Sequence, residues 1–433
     1  MNLKTRIRSV FATHFASAEY LEKQRTKARK RREKQGNPPT VHYFHQVDDP
    51  YSHLAVQKLD LLKARYELKF QPYLVSKPEA VYQGSSAHFD KWALRDALSV
   101  ATDYGTVFSP TLDTPAADAV VIANQVLAAH LDHDDFAQIA LDVGTALWKA
   151  APIGTTDNSS LPENQGESAV SEGNKKRRAL GHYQGAMFYF DGEWFWGIDR
   201  IRSLEARLAQ EGFDRQSGPP SVPEPKPDTI QGKNPDGILL EYFPSLRSPY
   251  TAIGHQRVLD LVKISGVSVK VRPVIPMMMR GIPAPRAKQR YIITDAAREG
   301  REHGVPLGRI VDPLGEPVRR AFALFPAANA VGRGMEFVTA YLNAAWLEGI
   351  DITTEQGLKQ VTSNAGLDWQ ELSQPSKSDD WQAILDSNLQ VLTRENLWGV
   401  PSFRVSGGNI TQPYACWGQD RIWRVANEIA KRT

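Results

Sequence analysis

Apolar and polar positions alternate along this chain in two successive series of the same order. Leu3, Ile7, Val10, Phe11 and Phe15 recur at helical spacing, and the run KQRTKARKRREKQG follows. Asn37-Pro38-Pro39 ends this leader. A short apolar run at 41–44 predicts a strand, 51–66 a helix, and 68–75 a second strand. Helical spacing then continues from about 88 to 150. The polar stretch GTTDNSSLPENQGESAVSEGNKKRR predicts a surface loop or disordered insert. Residues 187–190 and 193–196 read as a hairpin around Asp191-Gly192, and a last helix starts near Asp199. After the Pro-rich stretch QSGPPSVPEPKPD the order returns: strand 238–243, helix 250–264, strand 267–273, helices between about 286 and 388, hairpin 402–416, helix 419–431.

The two series also share residues. VHYFHQVDDPYSHLAVQKLDLL is answered by ILLEYFPSLRSPYTAIGHQRVLDLV, and each series closes on a hairpin, a Trp-Gly pair and a helix. A duplicated domain accounts for this, with a leader at 1–36, a first domain at 37–211, a linker at 212–236 and a second domain at 237–433. A chain of 433 residues suits two cores better than one. Each strand–helix–strand unit must cross over right-handed onto a parallel pair, and each closing hairpin adds antiparallel strands. The expected fold class is therefore α/β, as two tandem thioredoxin-like domains, each with a helical insertion.

Composition narrows the function. Net charge is only +3, which exerts no global pull toward nucleic acid. The basic leader run lacks interleaved aromatics, which also weighs against nucleic acid. It reads as a solvated basic helix packed on the body by its first turns, with binding to RNA or an anionic membrane surface, or an oligomerisation arm, as alternatives. The single cysteine, Cys416, excludes an intramolecular disulfide, a Cys-x-x-Cys redox pair and a cysteine zinc site. No metal set is expected. No signal-peptide core and no stretch of about 20 apolar residues is found, so the expectation is a cytoplasmic protein without membrane insertion.

The second series resembles the DsbA-like proteins of the 2-hydroxychromene-2-carboxylate isomerase and kappa-class glutathione transferase group. The likeness rests on SPY at 248–250, KQRYIITDAAREGREHGVP at 288–306, AAWLEGIDITTEQGLKQVTSNAGLDW at 344–369, GVPSF at 399–403 and WGQDR at 417–421. The first series matches more loosely, through DPY, LWKAAPIG and WGIDR. The resemblance implies glutathione as cofactor and an isomerase or transferase acting on a small aromatic or apolar electrophile. A non-catalytic binding protein is the alternative. It also implies that the first domain acts as an internal pseudo-dimer partner of the second.

Its site residues fall as follows. Ser248 before Pro249 is a favoured helix cap; the family uses this serine to hold the glutathione sulfur as thiolate, and the helix N-terminus favours the same charge. The first series has Asp49 here, which caps equally well but repels a thiolate. Val400-Pro401 is the family's cis-proline step, implied to dock the peptide backbone, whereas the first series has Gly185-Ala186. Gln419 and Asp420, at the start of the last helix, are implied to hold the γ-glutamyl end; a plain dipole role for Asp420 explains it as well. Lys288, Arg290 and Tyr291 are candidates for binding an anionic substrate, or else a solvated helix face. Asp295 and Arg298 read as a surface ion pair, Cys416 as a buried apolar residue, and Trp196 and Trp417 as packing beneath the final helices.

Overall fold

The structure is a computed structural model and describes residues 1, 3–84, 86–154, 164–230, 235–373 and 380–433. It divides into two compact units. One comprises Met1–Tyr20, Lys226–Ala284 and Ile292–Thr433; the other comprises Leu21–Pro225 and Pro285–Tyr291.

In the unit built mainly from the first half, β1 (Thr40–His45) pairs in parallel with β2 (Lys69–Leu74) and antiparallel with β3 (Met187–Phe190), which pairs with β4 (Glu193–Trp196). The sheet order is β2-β1-β3-β4. The short apolar run that predicted the central strand has a simple cause. Val41, Tyr43 and Phe44 of the central strand are fully buried. The expected helix over 51–66 is broken into Pro50–Val56 and Leu59–Arg65.

One expectation fails here. Of the polar stretch read as loop, 155–163 lies outside the described residues, but Gln165–Ala179 is a helix. It packs through glycines rather than apolar side chains. A Cβ on Gly166 would come 2.7 Å from Gln125 N, and one on Gly173 would come 1.9 Å from Leu74 O. Hydrophobic periodicity cannot register a face made of glycine. The basic helix Ala18–Lys34 carries Arg25, Arg29 and Arg32 on one face. They pair with Glu193 (2.7 Å), Glu211 (3.4 Å) and Asp191 (3.0 Å) of this unit.

In the second unit, β5 (Ile238–Phe243) pairs in parallel with β6 (Ser268–Val271) and antiparallel with β7 (Ser402–Gly407), which pairs with β8 (Tyr414–Trp417). The order is β6-β5-β7-β8. Glu241, in the middle of the central strand, is buried. It accepts hydrogen bonds from Arg272 and Arg404, each at 2.6 Å, so the charge is paired rather than stranded. The helices between residues 292 and 394 build a core around Phe322, Phe325, Phe337 and Tyr341, which Leu246 and Ala252 join.

The two sheets share internal detail as well as order. Tyr43 faces Phe188 across the sheet in one, and Tyr242 faces Phe403 in the other. Ser52 Oγ accepts from Gln46 N (3.2 Å), and Thr251 Oγ1 from Ser245 N (3.3 Å). Tyr51 donates to buried Asp96, and Tyr250 to buried Asp295, both at 2.8 Å.

Candidate functional site

Ser248 ends the loop after β5 and starts the helix Pro249–Ser265. Its backbone is extended, with φ −96° and ψ 119°, and Oγ accepts from Thr251 N at 3.1 Å. This is the capping geometry expected of serine followed by proline. Its hydroxyl also donates to the carbonyl oxygen of Val400 at 3.4 Å. The Val400–Pro401 peptide bond is cis. Two residues 152 positions apart in sequence therefore meet at one helix N-terminus. The 3.4 Å separation is at the long end for an O–H···O bond, so the hydroxyl hydrogen is weakly committed. Ser248 itself is 9% exposed.

The wall beside this step is aromatic. Trp417 lies so close to Gly399 that a Cβ there would come 2.0 Å from its ring, and Trp398 packs on Trp417 with ring centres 4.9 Å apart. Trp417 thus packs beside the proline step. Trp196 packs edge-on to Tyr51 at 5.7 Å.

Gln419 opens the turn Gln419–Arg421 ahead of the helix Ile422–Arg432. Its side chain is buried. Oε1 accepts from Arg257, and Nε2 donates to Glu299 Oε2 at 3.2 Å and to Asp420. A Cβ on Gly254 would come 2.9 Å from Gln419 Cβ, so this turn packs on the capped helix itself. Gly254 stands six residues beyond Ser248, about 9 Å along a helix axis. A tripeptide reaches about 10 Å when extended.

Asp295 and Arg298 are not a surface pair. Both are buried and hydrogen-bonded to each other, and Asp295 also receives Tyr250. This burial is what the sequence reading missed. The signal was present as the i, i+3 spacing, but burial depends on residues far away in the chain. His255, on the same helix, lies 3.1 Å from the Tyr242 hydroxyl and 2.8 Å from Thr339 Oγ1. Burial holds its pKa down at about 4, so it is neutral at pH 7.

Lys288, Arg290 and Tyr291 belong to the other compact unit. Lys288 is buried and donates to the carbonyl oxygen of Tyr82 at 2.8 Å; burial pulls its pKa down to about 8. Tyr291 is buried against Phe44, Val75 and Met187, with its ring edge-on to His182 at 4.7 Å. Arg290 is exposed. These three do not form a common positive face.

In that unit Asp49 occupies the capping position. Its carboxylate accepts from Tyr51 N (3.3 Å), Ser52 N (3.0 Å) and Ser52 Oγ (2.8 Å). Opposite stands Gly185, whose Cβ would lie 3.4 Å from Asp49 Oδ2, followed by Ala186 at φ 54°. Cys416 is fully buried on β8. His130, His133 and Asp135, unremarked in the sequence reading, place ligand atoms within 4.8 Å of one another on the surface.

Residues 239–430 match the DSBA-like thioredoxin domain family, and this part of the chain is a DsbA-like thioredoxin domain. Solved structures similar to the chain include 2-hydroxychromene-2-carboxylate isomerase, with 20% identity and a TM-score of 0.38 over 45% of this chain and 95% of that one. The cytosolic disulfide reductase DsbM from Pseudomonas aeruginosa shows 16% identity and a TM-score of 0.36 over 45% of this chain and 98% of that one. The same reductase, solved with GSH, has 16% identity and a TM-score of 0.34 over 45% of this chain and 100% of that one. No curated protein matches the chain. Among the described residues no helix is long and apolar enough to cross a membrane.

Proposed function

We propose that the second unit binds glutathione along the helix Pro249–Ser265. It would act as an isomerase or transferase of the 2-hydroxychromene-2-carboxylate isomerase and kappa glutathione transferase type. The observation that carries this reading is the Ser248 hydroxyl, held at a helix N-terminus 3.4 Å from the Val400 carbonyl. Turning that weakly committed hydrogen to a thiolate replaces one long hydrogen bond with a charge-assisted one. The helix N-terminus favours the same charge. Protein dithiol chemistry is disfavoured, because the only thiol is buried on β8.

The chemistry then belongs to the bound sulfur. In the isomerase direction the thiolate adds to the β-carbon of a conjugated enone, and the electron pair moves onto the carbonyl oxygen. The former double bond rotates. The carbon–sulfur bond then breaks and the double bond re-forms. Val400 and Pro401 would dock the cysteinyl backbone, and the turn at Gln419 and Asp420 the γ-glutamyl end. The spacing of Ser248 and Gly254 is within a tripeptide's reach. The substrate is a small aromatic or apolar electrophile, in keeping with Trp398 and Trp417 beside the proline step. A reducing, cytoplasmic setting supplies the cofactor.

The shared sheet order and the paired Tyr51–Asp96 and Tyr250–Asp295 bonds support descent of both units from one duplicated domain. The first unit would have lost glutathione chemistry by carrying Asp49 where the second carries Ser248.

One observation favours a second reading, a binding module without catalysis. The Gln419 side chain is committed to Arg257 and Glu299 rather than presented to a ligand.

The test is titration of glutathione into wild type, Ser248→Ala and Ser248→Asp, read by calorimetry and by thiolate absorbance. Wild type should bind and show thiolate at neutral pH. Ser248→Asp keeps the cap but should lose the thiolate band. Absence of binding at millimolar glutathione rejects the proposal. Binding without thiolate supports the binding module.

A further inference from the structure

The N-terminal helix Leu3–Ala16 leaves four of its large apolar side chains in water. Leu3, Ile7, Val10 and Phe11 are 72%, 46%, 62% and 57% exposed, whereas Thr5 and Ser9 are 2% and 5% exposed. The inward side packs Ala12, Phe15 and Ala16 on the core and is fastened by polar contacts within its own unit. Arg8 pairs with Asp312 at 2.7 Å, Ser9 Oγ accepts from Asp312 N at 3.0 Å, and Thr13 Oγ1 accepts from Ile310 N at 3.0 Å. Outward, at 3.6 residues per turn, the four apolar residues cover one continuous arc. Exposed Arg6 borders one edge of that arc and exposed Lys4 the other. The helix contains no acidic residue.

A surface helix ordinarily turns such a stripe inward. Leaving it in water forgoes the burial that ordinarily stabilises such side chains. The arc is convex, so it suits a soft apolar phase better than a groove-filling peptide. Cations on both edges can extend to anionic headgroups while the apolar residues enter between them. A second copy of the chain is a poorer occupant, since it would bring Lys4 and Arg6 against their own kind.

The geometry points to a peripheral membrane-docking face: the outward arc of Leu3, Ile7, Val10 and Phe11, bordered by Lys4 and Arg6, seats on an anionic lipid surface.

The experiment is sedimentation of the full chain with phosphatidylcholine vesicles, plain or containing about one third phosphatidylglycerol. Wild type should pellet with the anionic vesicles, less so at high salt. A double variant, Val10→Ser with Phe11→Ser, should partition at least about tenfold less. Lys4→Glu with Arg6→Glu should lose the preference for anionic lipid. All these side chains are exposed, so circular dichroism melts should match wild type. Wild type left in the supernatant, or the serine variant pelleting like wild type, overturns the inference. So does a lipid-independent dimer that the serine variant abolishes.

Discussion

Asp49 caps its helix from a buried position, and burial pushes its carboxyl up to about 6 despite the hydrogen bonds from Ser52 and Tyr51. The unfolded chain releases this proton near 3.8. Between those values the folded state holds more protons, so this group's contribution to stability rises as pH falls from about 6 to about 4. The size is about 3 kcal/mol, to an order of magnitude. Asp49→Asn keeps a capping oxygen and removes the charge. Its urea midpoint at pH 7 should exceed that of wild type, and the advantage should vanish near pH 4; equal midpoints at both pH values contradict this. Ser248→Ala should cost about 1 kcal/mol from the lost cap, read as a lowered urea midpoint. Both caps were legible in the sequence, since a cap is settled by three or four neighbouring residues. The Ser248–Val400 contact was legible only through family resemblance, because 152 positions separate its partners.

Strands and hairpins followed the sequence closely, and helices less so. β5 spans Ile238–Phe243 and β3–β4 span Met187–Trp196, as the alternation predicts. The helix Gln165–Ala179 escaped because its contact face is glycine. There a simple propensity argument predicts the wrong sign for a mutation. Gly173→Ala should gain about 1 kcal/mol of helix propensity. The new Cβ, however, would lie 1.9 Å from Leu74 O, a backbone atom of β2 that cannot swing aside. Overpacking of this kind costs about 1–3 kcal/mol, so net destabilisation is expected, with a lowered thermal midpoint. A raised midpoint would mean that the helix slides off β2 without cost.

At the scale of the molecule, the first twenty residues belong to the unit that is otherwise built from the second half of the chain. Arg8 and Arg247 both reach buried Asp312. Burial alone would raise that carboxyl, but the two guanidiniums hold it below its ordinary value. Arg8→Ala should cost about 1–3 kcal/mol, with one charged partner lost and Arg247 remaining. Hydrogen exchange should report it as lost protection around residues 309–314, with β1 to β4 unchanged. Altered exchange in β1 to β4 would show that the helix supports the other unit instead.

The strands, the two hairpins, the paired caps at Asp49 and Ser248 and the single cysteine were written in the sequence alone. Each depends on a residue's own chemistry or on neighbours within a turn or two. Tertiary structure decided which face of Leu3–Ala16 meets the body, that Asp295 and Arg298 are buried, and that Lys288 and Tyr291 lie in the unit without the Ser248 hydroxyl. Those outcomes turn on partners far away in sequence, whose combined burial and hydrogen bonding outweigh the local pattern.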